Sequence, residues 1–281
     1  MTTKRISTFT LTIVFALCNM VMVLAPARSH ISQVNAYSGQ ETLYKDIVPF
    51  GGTPILTIFE HIHYTRREVV QNVIWPNVPN YFGVNCGVTG AGNKIAFYNR
   101  QFPQLIPGHN PGFQFGNNWF WTPTTPQITA MMDELNVRMG GRGRDGVTFV
   151  EYFTGYAQFV HFRGLTTSFA MHRAADNAVL PSFFDAIANG VPVSMFFSGY
   201  NLTGGIPVHA TGHDVIALTQ HSGNHIMIAF GYQRVYYFDA YDNMFRQDLY
   251  VRVSDGFGST GWARINTHST LNNAITLNIF A

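Results

Sequence analysis

The chain changes its local sequence pattern near residue 190, and this change constrains the fold more than any other feature. Upstream, segments carry helix signals: capping residues, a proline at a first helical position, and glycines at helix ends. Downstream, short apolar runs follow one another at close spacing, as antiparallel strands do. Helices followed by strands along a chain are typical of a segregated α+β domain, so we expect that fold class.

The predicted helices are bounded by capping residues. Thr125 precedes Pro126, which pairs a capping side chain with a proline at the first helical position. Thr148 and Glu151 have the spacing of a capping box. The sequence predicts helices at 86–102, 128–139, 148–162 and 182–190.

The second part of the chain predicts strands. Residues 191–198 are continuously apolar, as in a strand that is buried on both faces. Gln233-Arg234 is interpreted as a tight turn between two strands, and 103–124 as a loop. The predicted strands are 191–198, 225–232, 235–239, 249–253, 263–267 and 274–280, with a further candidate at 56–64 and an ambiguous segment at 68–74.

The N-terminus has the pattern of an export signal. Lys4 and Arg5 precede an apolar run that ends before Ala25-Pro26-Ala27, a small-x-small cleavage pattern. The run is shorter than the roughly 20 residues that span a bilayer. We therefore expect a signal peptide at 1–27, a lead-in segment at 28–75 and one domain at 76–281. The expected location is secreted or extracytoplasmic, with no stable membrane insertion after cleavage.

Charge and composition exclude several classes of partner. Cleavage after Ala27 would remove two of the 17 basic residues and leave 15 against 15 acidic residues, a formal net charge of zero. Such a chain has no basic surplus for nucleic acid. Only 11% of the residues are charged and 15% are aromatic, which is typical of a folded core rather than a disordered chain. We expect a monomer.

Cys86 is the first candidate catalytic residue. The other cysteine, Cys18, lies in the signal segment, so the mature chain would hold one thiol without an internal partner. Cys86 begins a predicted helix, whose N-terminal partial positive charge favours the thiolate. Gly87 next to it would leave space for a substrate backbone. These features indicate a nucleophile.

A cysteine nucleophile needs a base and a group that orients the base. Among eleven histidines, His225 lies where a polar, glycine-containing loop meets an apolar strand, a position that holds an imidazole rigidly. With a turn at Gln233-Arg234, the far end of the next strand returns beside it. Simple hairpin register favours Asp242, whereas the strand end favours Asp239. Either aspartate has an alternative interpretation as a turn-forming residue, and His225 as a strand-end histidine.

An acyl-transfer site also needs donors for the oxyanion. The backbone N–H of Cys86 is one candidate. Asn80, six residues upstream, and the adjacent Asn85 are candidates for the second donor. Hydrogen bonding within the loop is the alternative interpretation for both side chains.

Together these segments resemble a known family. Val78-Pro79-Asn80, then Asn85-Cys86-Gly87, and then His225 before an apolar strand that ends in Gly231-Tyr232 are similar to the papain-fold cysteine peptidases. The branch related to bacteriocin-processing peptidases is the most similar. The resemblance covers roughly 76–242 and implies a papain-like fold with a Cys-bearing helix followed by an antiparallel sheet.

The resemblance implies a role for four residues. It makes Cys86 the nucleophile, His225 the base and Asp239 the third member, with Asn80 where the family usually has an oxyanion glutamine. Asn80 is a shorter amide than glutamine. The spacing from His225 is 14 residues to Asp239 and 17 to Asp242, on either side of the value expected for the family.

The implied activity is hydrolysis of a peptide or isopeptide bond through a thioester, with a peptide or protein as substrate. No metal and no organic cofactor is expected. Two alternatives remain open: a transglutaminase-like acyl transfer at the same site, and a non-catalytic secreted or surface binding module of the same fold.

Three other clusters are weaker candidates. His61 and His63 beside Glu60, and His209 and His213 beside Asp214, have spacings compatible with a metal site. For both clusters a structural role is the preferred interpretation. The aromatic segment 113–121 is either a wall of a substrate groove or a packed loop.

Overall fold

The computed structural model describes residues 44–50, 53–75, 77–83, 85–141, 146–172, 179–203, 212–265 and 270–281. The predicted signal segment 1–27 lies outside them. The described helices are α1 (Cys86–Tyr98), α2 (Pro126–Arg138), α3 (Phe149–Phe162) and α4 (Pro181–Ala188), with a 3-10 turn at Pro103–Leu105. The described strands are β1 (Tyr44–Phe50), β2 (Thr53–His63), β3 (Arg66–Ile74), β4 (Gly112–Phe115), β5 (Asn118–Trp121), β6 (Thr166–Met171), β7 (Val193–Thr203), β8 (His213–Phe238), β9 (Met244–Ser254), β10 (Thr260–Arg264) and β11 (Thr270–Phe280).

The predicted α+β class is confirmed. Nine of the described strands form one sheet in the order β1-β2-β8-β9-β10-β7-β11-β6, with β3 added on β8, and β4 and β5 form a separate hairpin. Each described pairing in both sheets is antiparallel. β7 pairs with both β8 and β10, so that β8, β9, β10 and β7 close a ring of pairings.

Helices pack on both faces of the central strands. Phe196 and Ile226 belong to the same apolar cluster as α1, α2 and α3. Their chain neighbours Phe197 and Met227 belong to the cluster around α4. Successive side chains of a strand point to opposite faces, so the continuous apolar run predicted at 191–198 is explained by burial on both faces.

The prediction of a turn at Gln233-Arg234 is wrong. β8 runs unbroken through both residues, which pair with β3 on one side and with β9 on the other. The real turn lies beyond Phe238, where Asp239 accepts hydrogen bonds from the backbone N–H groups of Tyr241 and Asn243. Two neighbouring strands stabilise β8 where the local sequence alone favours a turn.

The segment predicted as a lead-in contributes strands to the main sheet. β2 pairs with the first part of β8 and β3 with its last part. The predicted loop at 103–124 contains the β4–β5 hairpin. Within the described residues, no helix combines the length and apolar character needed to cross a membrane.

Candidate functional site

Cys86 is the first residue of α1, as the sequence predicts. Asn85 precedes it in an extended conformation, and its side-chain oxygen accepts a hydrogen bond from the Val88 N–H at 2.9 Å. This contact is a side-chain N-cap, which fixes the start of the helix. Cys86 is half-buried and is a free thiol.

Cys86 and His225 line one cavity of about 580 Å³. Backbone amides of Ile226 and Gly87 form hydrogen bonds with the Cys86 sulfur, so the thiol lies against the residue that follows His225 in β8. Folding therefore places in the lining of one cavity the two residues that the sequence pairs across 139 positions of the chain. The cavity is lined by Cys86, Gly146, Val147, Thr148, Phe149, Glu151, Phe196, Phe197, Asn224, His225, Ile226, Asn272 and Asn273.

Gly87 and Gly90 serve close packing of α1. A Cβ atom at Gly87 would overlap a methyl carbon of Val147, and one at Gly90 would lie 3.3 Å from the Ile226 side chain. The space beside Gly87 is thus occupied by the protein itself rather than left for a substrate backbone. Glycine here lets the Cys-bearing helix approach β8 and the wall of the cavity.

The imidazole of His225 is oriented by a backbone carbonyl. Its Nε2 lies 2.6 Å from the Asp255 carbonyl oxygen. Because a carbonyl only accepts, Nε2 carries the proton in the neutral ring and Nδ1 keeps the lone pair. Nδ1 is therefore the basic nitrogen of the site.

Two aromatic rings hold the faces of this imidazole. The Phe257 ring stacks on His225 with centroids 4.7 Å apart and planes 4° apart, and Tyr200 stacks at 5.0 Å. His225 itself is only 6% exposed. The ring is fixed in its plane by one hydrogen bond and across its plane by two stacks.

Asp255 shapes the loop that carries both Phe257 and the orienting carbonyl. Its carboxylate accepts hydrogen bonds from the N–H groups of Phe257 and Ser259 and from the Ser259 hydroxyl. Gly256 between them has φ of +78°, a conformation that favours glycine. Asp255 follows the last residue of β9, which is the strand that returns antiparallel to β8.

Asp239 and Asp242 are not brought to His225, which corrects the predicted third member. Asp239 follows the far end of β8, roughly 45 Å along the strand from His225. There it forms the turn, and Asp242 forms an ion pair with Arg66 at 2.9 Å. Because the turn lies further along the chain than the sequence predicts, the residue that returns beside His225 is Asp255.

The pKa values of the pair move apart. Burial raises the pKa of the Cys86 thiol, although backbone hydrogen bonds from Ile226, Gly87 and Cys86 partly oppose this. Burial lowers the pKa of His225, against the raising effects of the hydrogen bond to Asp255 and of its charge. The resting pair at neutral pH is a thiol and a neutral imidazole, whereas the sequence argument expected a lowered thiol pKa.

The two candidate asparagines have structural contacts. Asn80 accepts a hydrogen bond from the Ser254 hydroxyl at 2.7 Å and lines a different, more open hollow with Trp121 and Ser259. It does not line the cavity of Cys86 and His225, so its placement gives no support to the predicted oxyanion role. Asn85 caps α1 and contacts Asn136.

The weaker candidate clusters are engaged elsewhere. Glu60 forms ion pairs with Arg246 and Arg264, and Asp214 accepts hydrogen bonds from Tyr64 and Tyr237. His209 lies outside the described residues. No group of three or more His, Cys, Asp or Glu side chains suited to a metal ion occurs in the part of the chain that the structure describes. The aromatic segment forms β4 and β5 and does not line the cavity.

Sequence reasoning missed Asp255, Tyr200 and Phe257. The sequence signal for Asp255 is an aspartate followed by Gly256, two residues after the predicted strand 249–253. Nothing in the local sequence marks Tyr200 or Phe257, because each meets His225 only through strand pairing or loop closure.

Comparison of this chain with protein-family models, with curated proteins and with solved structures gave no match.

Proposed function

We propose that this protein is an exported cysteine peptidase of papain-like fold that hydrolyses a peptide or isopeptide bond through a thioester on Cys86. The observation that carries the proposal is the shared cavity: a helix N-terminal thiol and an oriented imidazole open onto the same space. The papain-like fold is supported by the packing of the Cys-bearing helix against the strand that holds the histidine, with the orienting group at the end of the following strand.

In this mechanism Nδ1 of His225 removes the proton from the Cys86 sulfur as the sulfur attacks the carbonyl carbon. The backbone N–H at the start of α1 stabilises the oxyanion. The imidazolium returns the proton to the leaving amine, and the C–N bond breaks. Water then hydrolyses the thioester, which releases the acid and restores the thiol. Proton transfer accompanies attack because the resting pair is neutral.

The cavity wall favours an uncharged substrate segment. Val147, Phe149 and Phe196 form its apolar part, while the amides of Asn224, Asn272 and Asn273 can exchange hydrogen bonds with a peptide backbone. Glu151 is the single carboxylate in the described lining, and it is engaged in the cap of α3. We expect peptides with apolar residues near the scissile bond to be preferred over acidic ones.

The test is cleavage of a mixed peptide library by the purified chain, read by mass spectrometry, together with labelling by a peptidyl thiol-reactive probe. Cys86→Ala and His225→Ala are expected to abolish cleavage. Cys18→Ser serves as the background, so that any labelled sulfur is that of Cys86. Amine incorporation in place of hydrolysis would instead support an acyl transferase.

A matched aspartate pair tests the orienting group. Asp255→Ala removes the carboxylate that shapes the loop at His225, and a displaced imidazole costs on the order of 100-fold in kcat/KM. Asp239→Ala, at the far turn, is expected to leave kcat/KM unchanged. The reverse order of effects would contradict the assignment, and unchanged cleavage in Cys86→Ala would reject the peptidase altogether.

A further inference from the structure

Lys94 is a fully buried lysine on the same helix as Cys86. It lies two turns after Cys86 in α1 and is 0% exposed. Among the described residues no carboxylate forms an ion pair with it. An ammonium group taken out of water without a counter-charge is costly, so such a lysine calls for a physical explanation.

A pair of buried hydroxyls connects Lys94 to the surroundings of Cys86. The Lys94 ammonium donates a hydrogen bond to the Ser194 hydroxyl at 3.4 Å, and that hydroxyl lies 2.9 Å from the Tyr152 hydroxyl. Cys86 packs against the apolar cluster to which Tyr152 belongs. The hydrogen bonds therefore run from the middle of α1 through β7 to α3, and Cys86 lies at the start of the same helix beside the cluster that contains Tyr152.

The groups that face Lys94 and Cys86 are mostly neutral. Burial lowers the pKa of His172, which follows β6, and the charge of Lys94 lowers it further. Tyr98 on α1 and Tyr156 on α3 each bury a hydroxyl that has no hydrogen-bond partner among the described residues. Around Cys86 the titratable groups are His225 on β8, Tyr152 and Glu151 on α3 and Tyr200 on β7.

We propose that the Lys94 ammonium, held by the buried Ser194–Tyr152 hydroxyl pair, raises the reactivity of Cys86 from within the same helix, which makes Lys94 a positioning residue of the candidate site. The inference rests on the proposed function only in that Cys86 is taken as the reacting group.

The expected size of the effect follows from helix geometry. Eight residues along a helix separate the backbone positions of Cys86 and Lys94 by about 12 Å, and a unit charge at about that distance with an effective dielectric of about 20 changes a thiol pKa by about one pH unit. Burial lowers the pKa of Lys94 to about 7. Below pH 7 the charged Lys94 should therefore lower the pKa of the Cys86 thiol and make Cys86 more reactive. Above pH 7 Lys94 is neutral and this gain in reactivity should be lost.

The test is the rate of Cys86 alkylation by iodoacetamide against pH, in a Cys18→Ser, His225→Ala background that removes the neighbouring imidazole. The thiolate displaces iodide, so no peptidase activity is required. We expect the rate to rise with pH, to level off near pH 7 and to rise again. Lys94→Met should give an unbroken rise, about tenfold slower below pH 6.

Three further variants complete the test. Lys94→Arg keeps its charge at every pH and should retain the faster rate without the plateau. Tyr98→Phe, which removes a neighbouring hydroxyl outside the contact chain, should keep the plateau. Ser194→Ala removes an acceptor of the ammonium, so its plateau should move to lower pH, and this variant also serves if Lys94→Met fails to fold.

A plateau that persists in Lys94→Met, or an unmoved plateau in Ser194→Ala, overturns the inference. A protein that shows the plateau but cleaves no peptide supports the inference and rejects the proposed function. Cleavage that depends on Cys86, in a protein whose alkylation rate has no plateau, supports the proposed function and rejects the inference about Lys94.

Discussion

At the scale of single residues, the site depends on a hydrogen bond from the His225 ring to a backbone carbonyl, which is not a catalytic side chain. The group that orients His225 is the carbonyl of Asp255, and any residue has one. What is specific is the carboxylate of Asp255, which holds the following turn and so fixes where its own carbonyl points. The side chain therefore acts on the imidazole mainly through the backbone.

Phe257 is expected to control the pKa of His225. Burial is the largest cause that lowers this pKa, and the Phe257 ring covers one imidazole face. Phe257→Ala admits water to that face and should raise the pKa of His225 back towards its ordinary value of about 6.5. The measurement is an NMR titration of the His225 ring protons.

Phe257→Leu is the matched control, because a branched aliphatic side chain keeps most of the cover. It should shift the His225 pKa less than alanine does. A pKa in Phe257→Ala that stays at the wild-type value, or falls further, would show that Phe257 does not exclude water from the imidazole.

At the scale of helices and strands, an element can be predicted from the sequence when contacts between neighbouring residues are enough to form it. The helices at Thr125 and Thr148 begin at capping side chains that act within four residues, and both caps are present in the structure. β8, in contrast, is held in its extended form by the strands that pair with it. Its Gln233-Arg234 pair looks like a turn locally, yet β3 on one side and β9 on the other hold the chain extended.

The same contrast explains which site residues could be found. Cys86 and His225 stand at the ends of local patterns, a helix start and the edge of an apolar run. The orienting group depends on the length of the β8–β9 hairpin, which tertiary pairing sets. An error in the predicted position of the turn therefore leads directly to an error in the residue predicted to orient His225.

The capping box of α3 gives a prediction at this scale. Thr148 accepts a hydrogen bond from the Glu151 N–H, and the Glu151 carboxylate accepts one from the Thr148 N–H. Thr148→Ala removes one of these bonds and should lower the free energy of unfolding by about 1 kcal/mol, measured by urea denaturation.

Thr129→Ala, at an exposed position inside α2, is the control for this change. Its hydroxyl donates to a helix carbonyl and does not cap a helix start, so we expect a change within about 0.5 kcal/mol. If both threonines cost the same, the capping box does not stabilise α3 more than an ordinary surface contact does.

At the scale of the whole molecule, two buried charge environments differ in kind. Glu60 and Asp248 are paired with Arg246 and Arg264, and the guanidinium groups outweigh burial so that the pKa of Glu60 lies below its ordinary value. Lys94 has no such partner among the described residues, and burial alone lowers its pKa to about 7. In the first cluster the carboxylate and guanidinium charges balance each other within the core. Lys94, in contrast, opposes folding at any pH where its amine is protonated in the unfolded chain.

Lys94→Met should therefore stabilise the protein in a pH-dependent way. The folded-state pKa of Lys94 is about 7, below the ordinary value of 10.5, so between these values the unfolded chain holds a proton that the folded chain has lost. Wild-type stability consequently rises with pH across this window and falls as pH drops through it. At pH 7 the methionine variant should be more stable by a few kcal/mol, since each pH unit between the folded and unfolded pKa values corresponds to about 1.4 kcal/mol. The gain should shrink as pH approaches 10.5, because the unfolded lysine then also becomes neutral.

Urea denaturation of both proteins at pH 7 and pH 10 measures the difference, and Tyr98→Phe controls for the loss of a neighbouring polar group. An equal difference at both pH values would mean that packing, not ionisation, governs the effect, and a less stable variant at pH 7 would contradict a costly buried ammonium.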